Sequence, residues 1–204
     1  RCWLTRGVGL GLWGVSLAAQ RFRFGILADW GQRFVDAAGI GPATVGIGIT
    51  ESTLMHDTAQ TLETLKALAA LGIRISIDDF GTGYSSLSYL RRFPVHLLKV
   101  DRSFVHDVPG NADDATIVRA IAGLARNLGL RIVAEGVENP EQMRFLQEVG
   151  CDEGQGFLFA PPMPADELER RFAHRCAPPG RPVRPVCALD PGGAKPAAPG
   201  CATH

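Results

Sequence analysis

Repeated strand–helix units in the sequence predict an α/β protein built on a parallel sheet. Short β-branched runs alternate with helical patterns between residues 41 and 175. Acidic or amide side chains follow successive predicted strands, as they do where parallel sheets carry ligands. These observations leave open whether the sheet is doubly wound or closed as a (βα) barrel.

Each predicted strand is an apolar run that ends at a polar or flexible residue. The helix at 61–71 places Leu62, Leu65 and Leu68 on one face, and Gly72 ends it. The helix at 113–128 has apolar residues spaced at i, i+4, i+7 and i+11, and Gly129 caps it. A glycine-rich loop, FGTGYSS, covers 80–86. In chain order the elements are strand 45–49, helix 61–71, strand 73–77, helix 86–91, strand 96–100, helix 113–128, strand 131–134, helix 140–149, strand 154–159 and helix 165–173.

Composition divides the chain into three parts. Residues 1–40 are rich in glycine and show no clean period, and we interpret 1–14 as the irregular start of a fragment. Residues 15–175 form the predicted domain. Residues 176–204 are dominated by Pro, Gly and Ala, so this tail is predicted to be disordered because it cannot bury enough apolar surface to offset its ordering entropy.

The charge balance narrows the classes of partner. The 204 residues contain 21 Lys+Arg and 21 Asp+Glu, which argues against DNA or RNA binding by bulk charge. No apolar run reaches the ~18 residues that a membrane span needs. Five cysteines without a CxxC pair predict neither a disulfide framework nor a zinc site, so a cytoplasmic location is expected.

Polar residues at the ends of four successive strands form the candidate site. Adjacent acids in a regular strand face opposite ways, but a distortion at the strand end would let both reach one site. Acids with a lysine suit metal-assisted attack of water on a phosphate ester, and oxygen ligands favour Mg²⁺ or Mn²⁺. The residues are Asp78 and Asp79, Lys99 and Asp101, Glu135 and Glu138, and Gln155.

A simpler interpretation is that these residues are solvated charges at strand ends. The loop FGTGYSS is too short to count as a nucleotide-binding fingerprint. The five histidines show no metal-binding spacing and are interpreted as incidental. Asp152 is interpreted as a surface residue.

Four segments resemble the EAL domain, the cyclic di-GMP phosphodiesterase module of bacterial signalling. The resemblance runs from about residue 15 to residue 172. It implies a TIM-like barrel with one antiparallel strand, of which about the last six strands are present in this chain. It also implies hydrolysis of cyclic di-GMP to linear pGpG with two Mg²⁺ or Mn²⁺ ions, and a possible homodimer through the domain. The segments are ITESTLMHD (49–57), IDDFGTGYSSLSYLRRFPVHLLKVDRSFV (77–105), IVAEGVEN (132–139) and CDEGQGFLFA (151–160).

The resemblance assigns roles residue by residue. Asp78, Asp79 and Glu135 would serve the metal centre, and Lys99 and Glu135 would be catalytic. Gln155 and Glu138 would position water or substrate. Glu51 would stabilise the FGTGYSS loop, whose position couples substrate, metal and dimerisation in this family.

Departures from the family pattern predict a weakened metal centre. The Glu-Ala-Leu motif is absent from the chain, Ser16 stands where the family has an asparagine ligand, and Gly48 stands where it has a glutamate ligand. Pro161 stands where the family pattern has an arginine. We therefore expect an amino-terminally truncated, degenerate EAL-type domain in which phosphodiesterase activity is lost or impaired. The alternatives are an inactive domain that binds cyclic di-GMP or a partner, and a fragment with no function.

Overall fold

A computed structural model describes residues 13–17, 26–54, 58–83 and 90–172. Within these ranges one six-stranded sheet forms the centre of the fold, and every strand pair is parallel. The strands are β1 (Trp13–Leu17), β2 (Val45–Thr50), β3 (Arg74–Phe80), β4 (Leu97–Val100), β5 (Arg131–Glu135) and β6 (Glu153–Gln155).

Helices connect the strands. The helix after β5 begins at the predicted residue because Asn139 caps it and Pro140 occupies its first turn. The helices are α1 (Ile26–Ala38), α2 (Glu51–Leu54), α3 (Thr58–Ala70), α4 (Arg102–Val105), α5 (Ala112–Asn127), α6 (Pro140–Val149) and α7 (Ala165–Phe172), and a short 3₁₀ turn covers Pro42–Thr44.

The strand order distinguishes a barrel from a doubly wound sheet. The strands neighbour one another in sequence order, from β1 to β6, without a reversal. A doubly wound sheet reverses its order at a switch point, whereas sequential parallel strands with crossovers of one hand place all helices on one face. The chain therefore adopts part of a TIM-like barrel, as predicted. The antiparallel strand implied by the resemblance is not among the six described strands.

The core lies between the strands and the helices that cover them. Ile47, Ile49, Ile75 and Ile77 are at most 1% exposed, and they line adjacent positions of β2 and β3. Such runs buried on both faces are typical of parallel sheets. On the helices, the predicted face of α3 is confirmed because Leu65 and Leu68 are fully buried.

The structure corrects the interpretation of the first 40 residues. β1 includes Trp13 and Gly14, so the irregular start does not extend to residue 14. α1 covers Ile26–Ala38, where no regular element was predicted. Trp30 and Phe34 lie four residues apart on α1, are exposed and stack with ring centroids 5.4 Å apart. Apolar residues at this spacing normally mark the buried face of a helix, so these exposed aromatic residues hid the helical period.

The last predicted strand is also shorter than expected. β6 ends at Gln155, and residues 157–159 form a turn in which the Phe159 N–H donates to the Gly156 carbonyl. A Cβ at position 156 would overlap the backbone of Val137, so the chain turns away at a glycine.

Some predictions fall outside the described residues. These are the tail at 176–204, most of the helix at 86–91, the end of the FGTGYSS loop and His56. Among the helices that are described, none combines the length and apolar character needed to cross a membrane.

Candidate functional site at the carboxyl ends of the strands

The carboxyl ends of β3 to β6 bring the predicted polar residues together. Parallel strands of a barrel end at the same face, so residues far apart in sequence meet there. Between Ile77 and Phe80 the pairing of β3 with β4 shifts, and Asp79 adopts a left-handed backbone conformation with φ of 55°. This irregularity is the predicted distortion of the strand end, and it lets Asp78 and Asp79 face one region.

Lys99 is the centre of a charged network. Its Nζ lies 2.8 Å from Glu135 Oε1 and 3.2 Å from Asp78 Oδ1. Gln155 Nε2 donates to the same Glu135 oxygen at 2.9 Å. Burial would lower the pKa of Lys99, but the hydrogen bond and charge of Glu135, together with the charge of Asp78, raise it above its ordinary value. The lysine is therefore a fixed cation between two carboxylates.

Asp78 is buried beside Gly48. Ser76 Oγ donates to Asp78 Oδ1 at 3.1 Å, and the carboxylate fills the space where a side chain at position 48 would begin. Ser16, Gly48 and Ser76 share one level of the sheet on β1, β2 and β3. The first three strands thus supply no carboxylate at this level, and the carboxylate of Asp78 instead faces Lys99.

A second group of carboxylates shares Glu135 with the network of Lys99. Asp79, Asp101 and Glu135 each offer an oxygen within 4.8 Å of the other two, and we call these residues the acidic cluster. The pKa of Asp79 is raised first by burial and then by the charges of Asp101 and Asp78, against the opposing charge of Lys99. The charge of Asp101 therefore disfavours the ionised form of Asp79.

The acidic cluster suits a hard divalent cation, because its donors are carboxylate oxygens. Asp101 joins Asp79 and Glu135 in this cluster, and the role of Asp78 at the metal centre stays a prediction. The sequence had placed Asp101 at a strand end, but no role had been assigned to it. Its carboxylate also caps α4 by accepting a hydrogen bond from the Ser103 N–H at 2.9 Å. Two other positions at which the family has metal ligands do not fit a second cation. Ser16 offers only a hydroxyl, and Gly48 has no side chain.

Glu138 forms an ion pair across two loops. Its Oε1 lies 2.7 Å from Arg102 Nη2, and its Oε2 lies 4.0 Å from His106 Nδ1. It does not join the acidic cluster in the structure. Its predicted role in positioning substrate or water stays a prediction.

Glu51 contacts the glycine-rich loop as the resemblance implies. The residue is 3% exposed, and its Oε2 accepts hydrogen bonds from the N–H groups of Gly81 at 3.1 Å and Gly83 at 3.2 Å. Its Oε1 has no hydrogen-bond partner among the described residues. These contacts are those that a loop-stabilising residue requires, and the role itself stays a prediction.

Two exposed polar residues at the opposite ends of the strands hydrogen-bond to strand backbone groups. Asp152 lies at the surface, as interpreted from the sequence, and its Oδ2 accepts a hydrogen bond from the Ile132 N–H at 2.8 Å. His96 Nδ1 accepts from the Ile75 N–H at 3.2 Å. Both side chains satisfy strand backbone groups that lack a partner in the sheet, which no short-range sequence pattern indicates.

Comparison with known proteins identifies the family. The family model for the EAL domain matches residues 5–162, and the chain belongs to this family. It is 45% identical over 168 residues to the bifunctional diguanylate cyclase/cyclic di-GMP phosphodiesterase MucR of Pseudomonas aeruginosa, covering 82% of this chain and 24% of that protein. The chain therefore spans about a quarter of the length of this relative.

Solved structures agree with the fold. The crystal structure of the EAL domain of Mycobacterium smegmatis DcpA has a TM-score of 0.79 and 35% identity, with 87% of this chain and 80% of that chain covered. The PaMucR phosphodiesterase in complex with c-di-GMP has a TM-score of 0.73 and 46% identity, with 76% and 63% covered. A manganese/cy-diGMP complex of Klebsiella pneumoniae BlrP1 has a TM-score of 0.71 and 35% identity, with 78% and 41% covered.

Proposed function

We propose that this EAL domain binds cyclic di-GMP in bacterial signalling and that its hydrolysis of the dinucleotide to linear pGpG is lost or impaired. The observation that carries the proposal is the meeting of Lys99, Glu135 and Gln155 with the acidic cluster at the carboxyl ends of the strands. Relatives solved with this dinucleotide support the choice of ligand.

The acidic cluster would hold a single Mg²⁺ or Mn²⁺ ion. Such an ion, when bound, neutralises phosphate charge and lowers the pKa of a bound water. The ammonium of Lys99 would face a phosphate oxygen or the attacking water, and Glu135 and Gln155 would hold Lys99 and the water in place. These residues represent the part of a phosphodiesterase site that comes from β3 to β6.

The residues that β1 and β2 contribute to the site are the reason why we propose impaired hydrolysis. Ser16 is a weak neutral ligand, and Gly48 offers no donor. Asp78, the family ligand that is retained on β3, forms an ion pair with Lys99 at 3.2 Å. Altering even an outer-shell partner typically costs 10–100-fold in metal affinity or activity, so the loss of direct ligands should cost more.

Phe157 supports nucleotide binding at the rim of this site. It follows Gln155 by two residues and is 61% exposed. An exposed aromatic ring offers a face on which a nucleobase stacks. We propose that one guanine of the dinucleotide stacks on it.

The remaining parts of the proposal concern context. We propose a cytoplasmic location, where the dinucleotide acts as a signal, and a homodimer formed through the domain. The contacts of Glu51 with Gly81 and Gly83 support the second point, because the resemblance links the position of this loop to dimerisation.

Calorimetry with cyclic di-GMP tests the proposal directly. The chain should bind the dinucleotide in the presence of Mn²⁺, and Phe157→Ala should weaken binding by about 5- to 150-fold, as expected from the stacking of one base. Trp30→Ala removes another exposed aromatic residue on α1 and serves as the control, with unchanged affinity. Absence of binding by the parent chain would favour a partner-binding domain or a fragment without function.

A further inference from the structure

Gln142 is a buried polar residue that the proposed site does not use. It lies in the first turn of α6, directly after the loop of residues 136–139 that joins β5 to this helix. The side chain is 1% exposed. Gln142 is neither charged nor near a strand end, so no sequence pattern singles it out.

The amide of Gln142 makes three hydrogen bonds. Its Oε1 accepts from the N–H groups of Glu138 at 2.7 Å and Asn139 at 3.1 Å. Its Nε2 donates to the carbonyl oxygen of His106 at 2.7 Å. The bond from the Asn139 N–H to Oε1 is that of a helix capping box, and the bond from Glu138 lies just outside it. The bond from Nε2 lies outside that motif and reaches a different loop.

This third bond joins the two segments that follow Asp101 and Glu135, two of the three members of the acidic cluster. His106 ends α4, which begins directly after Asp101. The loop of residues 136–139 begins directly after Glu135. In the described part of the chain, Glu138 also joins these loops through its pairs with Arg102 and His106, whose side chains are exposed, whereas Gln142 itself is buried.

We propose that Gln142 is a positioning residue that fixes the distance between Asp101 and Glu135 and so sets the affinity of the acidic cluster for a divalent cation. Gln142 touches neither carboxylate and acts only through the two loops. The inference rests on the proposed function in so far as the acidic cluster holds a cation.

The chemistry of the side chain favours this role over helix capping alone. Glutamate serves in a capping box as well as glutamine does, because only an acceptor is required there. Contact with the His106 carbonyl requires a donor. The neutral amide is therefore the group that can accept from the Glu138 loop and donate to the His106 loop at once.

The variant Gln142→Glu separates the two roles. It retains the acceptor for Glu138 and Asn139, but a carboxylate cannot donate to the His106 carbonyl. Gln142→Met, which keeps the volume and adds no charge, removes all three bonds and serves as the second variant should Gln142→Glu fail to fold. Asp152→Ala is the matched control, because it removes a backbone-directed hydrogen bond at the opposite end of β5.

Mn²⁺ titration of the full chain, followed by electron paramagnetic resonance, is the test. We expect the Mn²⁺ affinity to fall about 10–100-fold in both Gln142 variants, as for residues that orient metal ligands, and to stay within twofold in Asp152→Ala. Hydrogen–deuterium exchange without metal should be faster in residues 101–111 of the Gln142 variants only.

The outcomes are distinguishable. A parent chain that binds no Mn²⁺ overturns the cation site of the proposed function and this inference with it. A parent that binds Mn²⁺, with a folded Gln142 variant of equal affinity, overturns the positioning role alone. That second result would leave Gln142 as a helix cap.

Discussion

The carboxylate of Asp78 occupies the space beside Gly48 in which the side chain of any other residue would begin. Ser76 and Lys99 hold the carboxylate there through contacts of 3.1 and 3.2 Å with Oδ1. An acidic residue of β3 and a glycine of β2 thus form a complementary pair. With the Asp78 carboxylate in this place, there is no room for a ligating side chain at position 48.

The substitution Gly48→Ala should therefore destabilise the fold. Its Cβ would overlap Asp78 and force the carboxylate away from Lys99, so we expect a loss of about 1–3 kcal/mol in the free energy of unfolding, as for overpacked cores. Urea denaturation measures this loss. Gly123→Ala in α5 is the control, because a Cβ there meets no atom within 4 Å and alanine favours the helix by about 1 kcal/mol. Equal stability of the Gly48→Ala variant and the parent would show that Asp78 moves freely.

Much of the fold could be predicted because its signals are local. The strands at β2 to β5 and the helix α6 follow from apolar runs, glycine stops and an Asn-Pro cap. The missed helix α1 places stacked aromatic residues on its exposed side, which obscures its period.

The site was predicted only in part because its details depend on contacts between distant residues. Asp78, Asp79, Lys99, Glu135 and Gln155 do converge at the carboxyl ends of the strands, as parallel topology requires. No sequence pattern reveals that Asp78 turns toward Lys99 while Asp101 approaches Asp79. These choices result from side-chain packing across the sheet.

Asp79→Asn should stabilise the metal-free chain at neutral pH. The folded-state pKa of Asp79 is raised above 3.8 by burial and by neighbouring carboxylates, so the folded chain binds more protons than the unfolded chain as pH rises above 3.8. Stability is therefore lost as pH rises through the folded-state pKa of Asp79, and the neutral amide removes that loss. Asparagine also tolerates the left-handed backbone at this position.

Thermal melts between pH 3 and pH 8 measure the effect of Asp79→Asn. The melting temperature of the variant should exceed that of the parent at pH 7, and the difference should vanish near pH 3. Addition of Mn²⁺ should raise the melting temperature of the parent more than that of the variant. A variant that is less stable than the parent at pH 7 would contradict the electrostatic account.

Lys99→Met should strongly destabilise the fold. Removal of the ammonium leaves the carboxylates of Asp78 and Glu135 largely buried without a counter-charge, and breaking such pairs costs about 3–5 kcal/mol. Lys66→Met is the matched control, because Lys66 pairs with Glu63 on the surface of α3, where a pair contributes about 1 kcal/mol or less. Chemical denaturation of both variants should show this contrast, and similar losses would argue against a buried network.

Cys151 should be unreactive in the folded chain. Burial, followed by the charge of Asp152, raises the pKa of its thiol to about 12, so almost no thiolate forms at neutral pH. Alkylation at pH 8, with the modified peptide identified by mass spectrometry, should label Cys151 only after denaturation. Rapid labelling of the native chain would mean that the core beneath α6 is open.

Turnover of cyclic di-GMP tests the central claim most directly. The chain and the EAL domain of Pseudomonas aeruginosa MucR should be compared at equal concentration with Mn²⁺, with linear pGpG quantified by chromatography. We predict that the chain binds the dinucleotide but forms pGpG at least about 100-fold more slowly, because direct ligands at positions 16 and 48 are missing. A rate within tenfold of the MucR domain would contradict this account and show that the groups on β3 to β6 suffice for catalysis.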